Sequence, residues 1–370
     1  KGDEHMAVSP LSLIRGVRYT AVDFGHNSIK YLSCRVKNNK IKLLASGKKE
    51  LPAGTIKDGK VIDTHLLTKM IANIFNEKNL KKGVLLLTPA SGQEFVRNLK
   101  MPKMPKDELK EALIWEVQDF LDLPAEKIAL DYIILSEKDD EYELLVTVLS
   151  KDVLNGYLEV FKNNMLDVKV VNLEDMALIS LLSKNNSLDQ AALILDIGAD
   201  SSKVLVAEKN NLFLSREVDT SGNNFSNLFL TDENDYEEAE IEKKKFEFFP
   251  EQAEEGQQDL DLMLSDLNNT ETLQKQVKNL ADEIIYEMNR SLEYHNERNA
   301  DNPVSNIFLT GGGLLLSGLI NYVKSQVDAE ISVINPLKEF EIKDESDQIN
   351  KHFMAAAAGT IISEVMHNES

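Results

Sequence analysis

Cysteine is nearly missing from this sequence. Cys34 stands alone among 370 residues, which excludes an intrachain disulfide and any metal site built on several thiolates. A chain kept in a reducing compartment is expected to look like this. Long apolar runs are missing as well. None approaches the ~20 residues that a membrane-crossing helix needs, and no signal-peptide core is expected. Positive charge is the third shortage, with 41 lysines and arginines against 62 acids and a net charge of −21. A field of that sign argues against DNA, RNA or anionic lipid as a direct partner, while leaving a local nucleotide site open.

What is present describes a globular protein, 42% hydrophobic and 28% charged, with length for roughly two to three domains. The residues before Met6 read as a cloning remnant. Two stretches share one phrase. Thr20 to Leu32 reads TAVDFGHNSIKYL, and Ala191 to Glu208 reads AALILDIGADSSKVLVAE. Asp23, Gly25, Asn27, Ser28 and Lys30 are spaced as Asp196, Gly198, Asp200, Ser201 and Lys203 are. Each phrase predicts a strand, a tight glycine turn and a second strand. Such a tip suits a phosphate, because glycine lets oxygens approach backbone N–H groups. A repeat half a chain apart predicts two similar domains, each with a phosphate hairpin.

Around these hairpins the chain alternates strands and helices. Strands are predicted at Ile41 to Ala45 and Val84 to Leu87, with Asn38-Asn39 as a turn and a helix from His65 to Asn76. From Ser91 to Lys169 a β-α-β-β-α-β run reads as an inserted subdomain. Glu174 to Leu182 is a predicted helix joining the halves. The stretch from Thr231 to Asp261 carries thirteen acids against three lysines and reads partly as loop. A long helix is predicted over Thr272 to Asn296. Strand Asn306 to Thr310 then meets Gly311-Gly312-Gly313, which permit close approach of a base or phosphate, with Ser317 placed to cap a helix from Gly318 to Val327. The C-terminal segment carries Ala355 to Ala358 and Gly359, a small-residue face for a tight crossing.

Two hairpins, a strand-Gly-Gly-Gly-helix and small-residue helices resemble the actin-like ATPase superfamily. The insert sharpens this. Phe95 to Leu135, with Met101-Pro102-Lys103-Met104-Pro105, Trp115-Glu116-Val117-Gln118 and Ala129-Leu130-Asp131-Tyr132, resembles the PilM family of type IV pilus assembly proteins. Glu238-Ala239-Glu240 with Lys243 resembles the ribose- and adenine-contacting helix of FtsA and PilM. The resemblance implies an α/β, actin-like two-domain ATPase fold with an inserted FtsA/PilM-type αβ subdomain. The expected divisions are a tag or disordered start at 1–10, the first domain at 11–90, the insert at 91–169, a connecting helix at 170–190, the second domain at 191–350, and a C-terminal helix at 351–370 returning to the first.

It also implies ATP with Mg²⁺ held between two domains. Asp23 and Asp196 would hold the metal through its water, since Mg²⁺ dehydrates reluctantly. Gly25, Asn27, Ser28, Gly198, Ala199, Asp200 and Ser201 would cradle phosphates. Lys30 either joins them or points to solvent. Glu240 would accept from the ribose, Lys243 would lie over the adenine, and Gly311, Gly312 and Gly313 would contact adenosine and the α-phosphate. Glu174, in a Glu-Asp-Met-Ala segment similar to the MreB Glu-Pro-Met-Ala, is the candidate for orienting water, with slow hydrolysis at most.

The partner implied is the N-terminal peptide of a PilN-like inner-membrane protein. The protein would then be cytoplasmic and peripheral at that membrane, without inserting, and self-association stays open. Leu113, Trp115, Val117, Phe120, Leu121, Met101 and Met104 either face this partner or pack on the first domain. Two further readings share the superfamily: an FtsA-like division protein, against which the absence of a basic amphipathic C-terminal helix counts, and a small-molecule kinase, for which no distinctive carboxylate base is found.

Overall fold

The computed structural model describes residues 16–80, 83–92, 94–121, 123–184, 187–209, 211–232, 234–249, 264–342 and 351–368. They form two compact units. One contains the chain up to Asn185 and from Asn335 onward, and the other spans Asn186–Ile334.

The first unit begins as an antiparallel meander of β1 (Val17–Phe24), β2 (Ser28–Lys37) and β3 (Lys40–Glu50). Asn38 and Asn39 both take positive φ, which sets the tight β2–β3 turn. Cys34 is buried in β2, and burial pushes its thiol up to about 12, so it is no nucleophile. A two-strand ribbon, β4 (Ile56–Lys57) and β5 (Lys60–Val61), precedes α1 (Thr64–Glu77). The Asp63 side chain caps α1 by accepting from Leu66 N–H, and Leu67, Ile71, Ile74 and Phe75 form its buried stripe. Strand β6 (Val84–Thr88) runs parallel to β1 and is apolar throughout up to its last residue, as a strand covered on both faces must be.

The insert consists of β7 (Glu94–Pro102), α2 (Lys106–Leu121), β8 (Ile128–Lys138) and β9 (Glu141–Ser150), with sheet order β7-β9-β8. Leu109, Leu113 and Val117 of α2 pack with Met101, Leu130, Val146 and Val148 in a core of its own. Helix α3 (Lys151–Lys162) comes next. Tyr157 and Phe161 from α3 meet Phe24, at ring separations of 4.9 and 6.0 Å. Strand β10 (Val168–Val171) then pairs with β6. The end of the expected insert, residues 91–169, thus runs into the main sheet of the first unit, where β10 pairs with β6 and α3 meets Phe24 of β1.

Helix α4 (Glu174–Ser183) leads to the second unit. There β11 (Ala192–Ile197), β12 (Ser202–Glu208) and β13 (Asn211–Val218) form a second antiparallel meander. Two short helices come next, α5 (Gly222–Asn227) and α6 (Tyr236–Lys245), so part of the acidic stretch is helical. Its residues 250–263 lie outside the described residues. Helix α7 (Leu264–Arg298) contributes Val277, Ala281, Ile284 and Met288 to the core. Strand β14 (Asn306–Thr310) runs parallel to β11, and β15 (Glu330–Val333) parallel to β14. Between them lies α8 (Leu319–Ser325). Its N-cap is Gly318, in the left-handed region at φ 85°, and no side chain caps it, so Ser317 does not play the expected role. A Cβ at Gly318 would stand 2.1 Å from the Phe248 carbonyl oxygen.

The chain then returns to the first unit. Strand β16 (Phe340–Glu341) pairs with β3, which places the end of the second unit at Ile334 and not at the expected 350. Helix α9 (Ala355–His367) is buried along most of its length and packs on α4. A Cβ at Gly359 would come within 1.9 Å of the Ala177 carbonyl oxygen, so only glycine admits this crossing.

The repeated phrase thus reflects a repeated sheet. The order β3-β2-β1-β6-β10 in one unit matches β13-β12-β11-β14-β15 in the other, with β16 added at one edge.

Candidate functional site

In each unit the chain turns from β1 or β11 to one side of the sheet and later returns on the other side. Open α/β sheets take their ligands at such a reversal, beyond the carboxyl ends of the strands, which here are β1 and β6, and likewise β11 and β14. Both repeated aspartates stand at this place. Asp23 is level with Lys30 across the hairpin and with Thr88 on the parallel side. Asp196 is level with Lys203 and Thr310.

In the first unit Asp23 is buried, and Lys30 Nζ donates to its Oδ2 at 3.0 Å. Burial pushes the Asp23 carboxyl above its ordinary value; Lys30 opposes this, and the charge of Glu174 adds to it. Lys30 therefore faces the aspartate and not open solvent. The turn is closed by Gly25 N–H donating to the Ser28 carbonyl at 2.9 Å, and the Asn27 carbonyl accepts from Leu51 N–H. Ser28, the first residue of β2, is buried. Glu174 opens α4, near enough to Asp23 for its charge to be felt.

In the second unit the turn from Gly198 through Ala199 and Asp200 to Ser201 is held by its neighbour. Gly222 and Asn223 N–H donate to the carbonyls of Gly198 and Ala199, each at 2.8 Å. A Cβ at Gly198 would stand 2.5 Å from the Ser201 carbonyl oxygen, so the turn requires glycine. Ser202 Oγ donates to the Thr220 carbonyl at 2.6 Å, fastening the hairpin to the start of α5. That start carries a capping box between Ser221 and Asn224.

Helix α6 lies against α5. Lys243 Nζ donates to Ser226 Oγ at 2.7 Å, to the Gly222 carbonyl at 3.4 Å and to Glu240 Oε1, which also accepts from Ser226 Oγ. Burial alone would raise the Glu240 carboxyl, but hydrogen bonds from Lys243 and Ser226 hold it below the usual range. The buried ammonium of Lys243 is thus engaged within its own unit, by Ser226, Glu240 and the Gly222 carbonyl. Sequence reasoning missed Ser226, which carries no local signal of this role.

The three glycines behave differently from one another. Gly311 has φ 98°, and a Cβ there would stand 2.3 Å from Asp196 Oδ1; at Gly313 it would meet Ile197 Cγ2 at 2.2 Å. At Gly312 it would meet nothing within 4 Å. Two glycines let the chain lie against the Asp196 strand, and the third leaves a bare backbone facing open space. A single-turn 3₁₀ segment, Gly312–Leu315, succeeds the strand ahead of α8.

Among the described residues no group of three or more His, Cys, Asp or Glu side chains gathers to hold a metal. One aspartate at the end of each first hairpin strand, Asp23 and Asp196, suits Mg²⁺, which would keep most of its waters and take further oxygens from phosphate. Thr88 and Thr310 were also missed, although LLLT and IFLT end the two parallel strands alike.

The family model described as Type IV pilus assembly protein PilM matches residues 21–360. No curated protein matches the chain in sequence. Among solved structures, the chain is similar to one from a PilM-PilN type IV pilus biogenesis complex. The TM-score is 0.78 at 21% identity, over 94% of this chain and 98% of that one. The ethanolamine utilization protein EutJ from Carboxydothermus hydrogenoformans is similar with TM-score 0.54 and 12% identity, over 93% of this chain and 89% of its own. MreB5 of Spiroplasma citri bound to ADP has TM-score 0.50 and 14% identity, over 95% and 98%. Identities this low speak to the fold alone, and the fold they share is actin-like.

Proposed function

The chain belongs to the PilM family of type IV pilus assembly proteins, and from that premise we propose that it is an ATP-binding scaffold that a membrane partner recruits. The observation that carries the nucleotide reading is the second unit's own constellation. Asp196, the Gly198 turn, the α5 start, the Glu240–Lys243–Ser226 cluster and the Gly311–Gly313 backbone are linked by direct contacts at one sheet end. In this reading the Gly311–Gly313 backbone takes adenosine and the α-phosphate, and Glu240 turns to the ribose. Each hairpin offers a glycine turn beside a carboxylate, Asp23 in one unit and Asp196 in the other, suited to phosphate oxygens and Mg²⁺. MreB5, bound to ADP in its structure, supports a nucleotide as the ligand class. Titration with a fluorescent ATP analogue, with and without Mg²⁺, tests it. Affinity indifferent to Mg²⁺ and to Asp196→Ala would remove the reading.

Hydrolysis is slow at most, because water orientation near Asp23 rests on Glu174 alone among the candidates. Phosphate release at several turnovers per second that Glu174→Gln abolishes would show an efficient enzyme.

The partner is a PilN-like protein, whose extended N-terminal peptide docks on the insert. Leu113 and Val117 of α2 are spent on the insert's own core, whereas Trp115 is 69% exposed and Ile133 on strand β8 55%. Both β7 and β8 are edge strands of a three-stranded sheet, able to pair with an added strand. The net charge of −21 favours a peptide bearing Lys or Arg. Calorimetry with such a peptide should show binding that Trp115→Glu weakens. Unchanged affinity in that variant would move the dock elsewhere.

A further inference from the structure

A strongly positive stretch of this acidic chain lies at one end of the first unit's sheet. From Val17 to Lys49 there are eight lysines and arginines and a single acid, Asp23. The register gathers five of the eight on one face. Arg18 of β1 is level with Arg35 of β2, and Arg35 with Lys42 of β3; two residues further along, Lys37 is level with Lys40. Residues level with one another, and those two apart on a strand, share a face. Arg35, Lys37 and Lys40 are exposed there, and Arg18 and Lys42 half-buried. Asp23 and the glycine turn stand at the opposite end of β1.

Like charges directly opposite one another destabilise a sheet. The conflict is felt at Arg18, where burial lowers the pKa from its ordinary value and the charge of Arg35 lowers it further. Compensation is slight. Arg18 Nε donates to the neutral Ser33 Oγ at 3.2 Å, and Glu341 of β16 reaches Lys40 at 3.4 Å with both side chains exposed. Among the described residues neither Arg35 nor Lys37 forms an ion pair. Nor does the fold require these cations. In the second unit's meander, counted from Asp196 as from Asp23, the row Arg18, Arg35 and Lys42 becomes Ala191, Glu208 and Asn211. The register shifts at the same step in both, between Ser33 and Cys34 and between Val206 and Ala207. One copy of the sheet does without positive charge where the other concentrates it.

A face of this kind suits a broad anionic surface. It is the end of a sheet, and its five residues include no aromatic ring on which a base would stack. The net charge of −21 does not forbid such a contact, because at physiological ionic strength charges beyond about 8 Å are largely screened. The partner proposed above is a membrane protein, so the chain it recruits is brought to a lipid surface. We propose that the face of Arg18, Arg35, Lys37, Lys40 and Lys42 docks on anionic lipid headgroups, as a second contact beside the partner peptide. Each cation near such a surface strengthens binding about fivefold. Vesicles that contain no partner test this contact separately from the peptide dock and from the nucleotide site.

The full chain is floated with vesicles of phosphatidylglycerol and phosphatidylcholine, and with phosphatidylcholine alone. Binding should need phosphatidylglycerol and weaken as salt is raised. Arg35→Thr, Lys37→Thr and Lys40→Thr together should lower it about a hundredfold, while Tm holds or rises as the repulsion is relieved. Should the triple variant not fold, Arg35→Thr alone should still lose about fivefold. Lys106→Gln, Lys110→Gln and Lys138→Gln remove the same charge from exposed positions of the insert and should change little. No binding to phosphatidylglycerol vesicles, an equal loss in the insert variant, or a loss that tracks a fall in Tm would overturn the proposal. Equal affinity for a DNA duplex would make the face a nucleic-acid site. Self-association that the triple variant abolishes, in place of vesicle binding, would make it an interface between copies. Either result would displace the lipid assignment.

Discussion

After Thr88 the first unit leaves its sheet through Pro89 and Ala90, whereas after Thr310 the second unit continues with three glycines. The strands before these exits share one order and one register, and both end beside an aspartate that is level with a lysine. The repeat therefore supplies two like hairpins, and the segments leaving β6 and β14 make their surroundings unequal. A bare backbone bed exists in one unit. The other closes its sheet end with side chains, through the Thr88–Thr360 contact and the buried Ala90.

The sharpest way to break this asymmetry is to add one methyl group to the glycine bed. Gly311→Ala introduces a side chain at φ 98° and into Asp196 Oδ1. It should cost about 2–3 kcal/mol in urea unfolding and abolish nucleotide binding. Ala90→Gly, the reverse change at the first unit's exit, should cost only about 0.5–1 kcal/mol.

Next in size is the metal dependence. Asp23→Ala and Asp196→Ala should each weaken Mg²⁺-dependent ATP binding about tenfold or more, because the cation loses one of few carboxylates. Unequal losses would show which hairpin holds the metal more closely, and two null results would remove the assignment.

A smaller effect concerns stability without ligand. The folded state raises the Asp23 carboxyl above its unfolded value, first by burial. Ionised Asp23 therefore costs stability at neutral pH, and the cost is relieved as pH falls from the folded pKa toward the unfolded one. Asp23→Asn should raise the Tm of the ligand-free protein at pH 7 and flatten its pH dependence; a lowered Tm would mean that the pair with Lys30 outweighs desolvation.

The smallest effect belongs to α6. Glu240 is held below its ordinary 4.5, so its contribution is fully present above that pH and is lost as pH falls through the folded value. Glu240→Gln should leave stability at pH 7 slightly reduced and remove part of the loss on the acid side. Acid denaturation curves of the two proteins that differ by a constant offset would exclude this.

Much of the duplicated sheet was legible because its signals are local. An apolar strand, a glycine turn and a second strand can be read within a dozen or so residues, as around Asp23 and Asp196. The insert's far boundary was not, because β10 is assigned by its partner β6, and nothing in Val168–Val171 names that partner. Ser317 looked like a helix cap, but the chain reaches α8 through left-handed Gly318, pressed against the Phe248 carbonyl. Lys243 could be placed on a helix, yet its engagement with Ser226 depends on α5 meeting α6.

Helix α9 sets an order on synthesis. Its Ala355–Ala358 and Gly359 cover α4 and β1, which leave the ribosome long before it. At about 5–20 residues per second, the interval between α4 and α9 lasts roughly ten to thirty seconds. The second unit, continuous from Asn186 to Ile334, can finish folding within that interval. The first unit meanwhile presents the uncovered face of Ala177, Leu178 and Leu181 to whatever holds nascent chains. The half translated first is thus the half completed last.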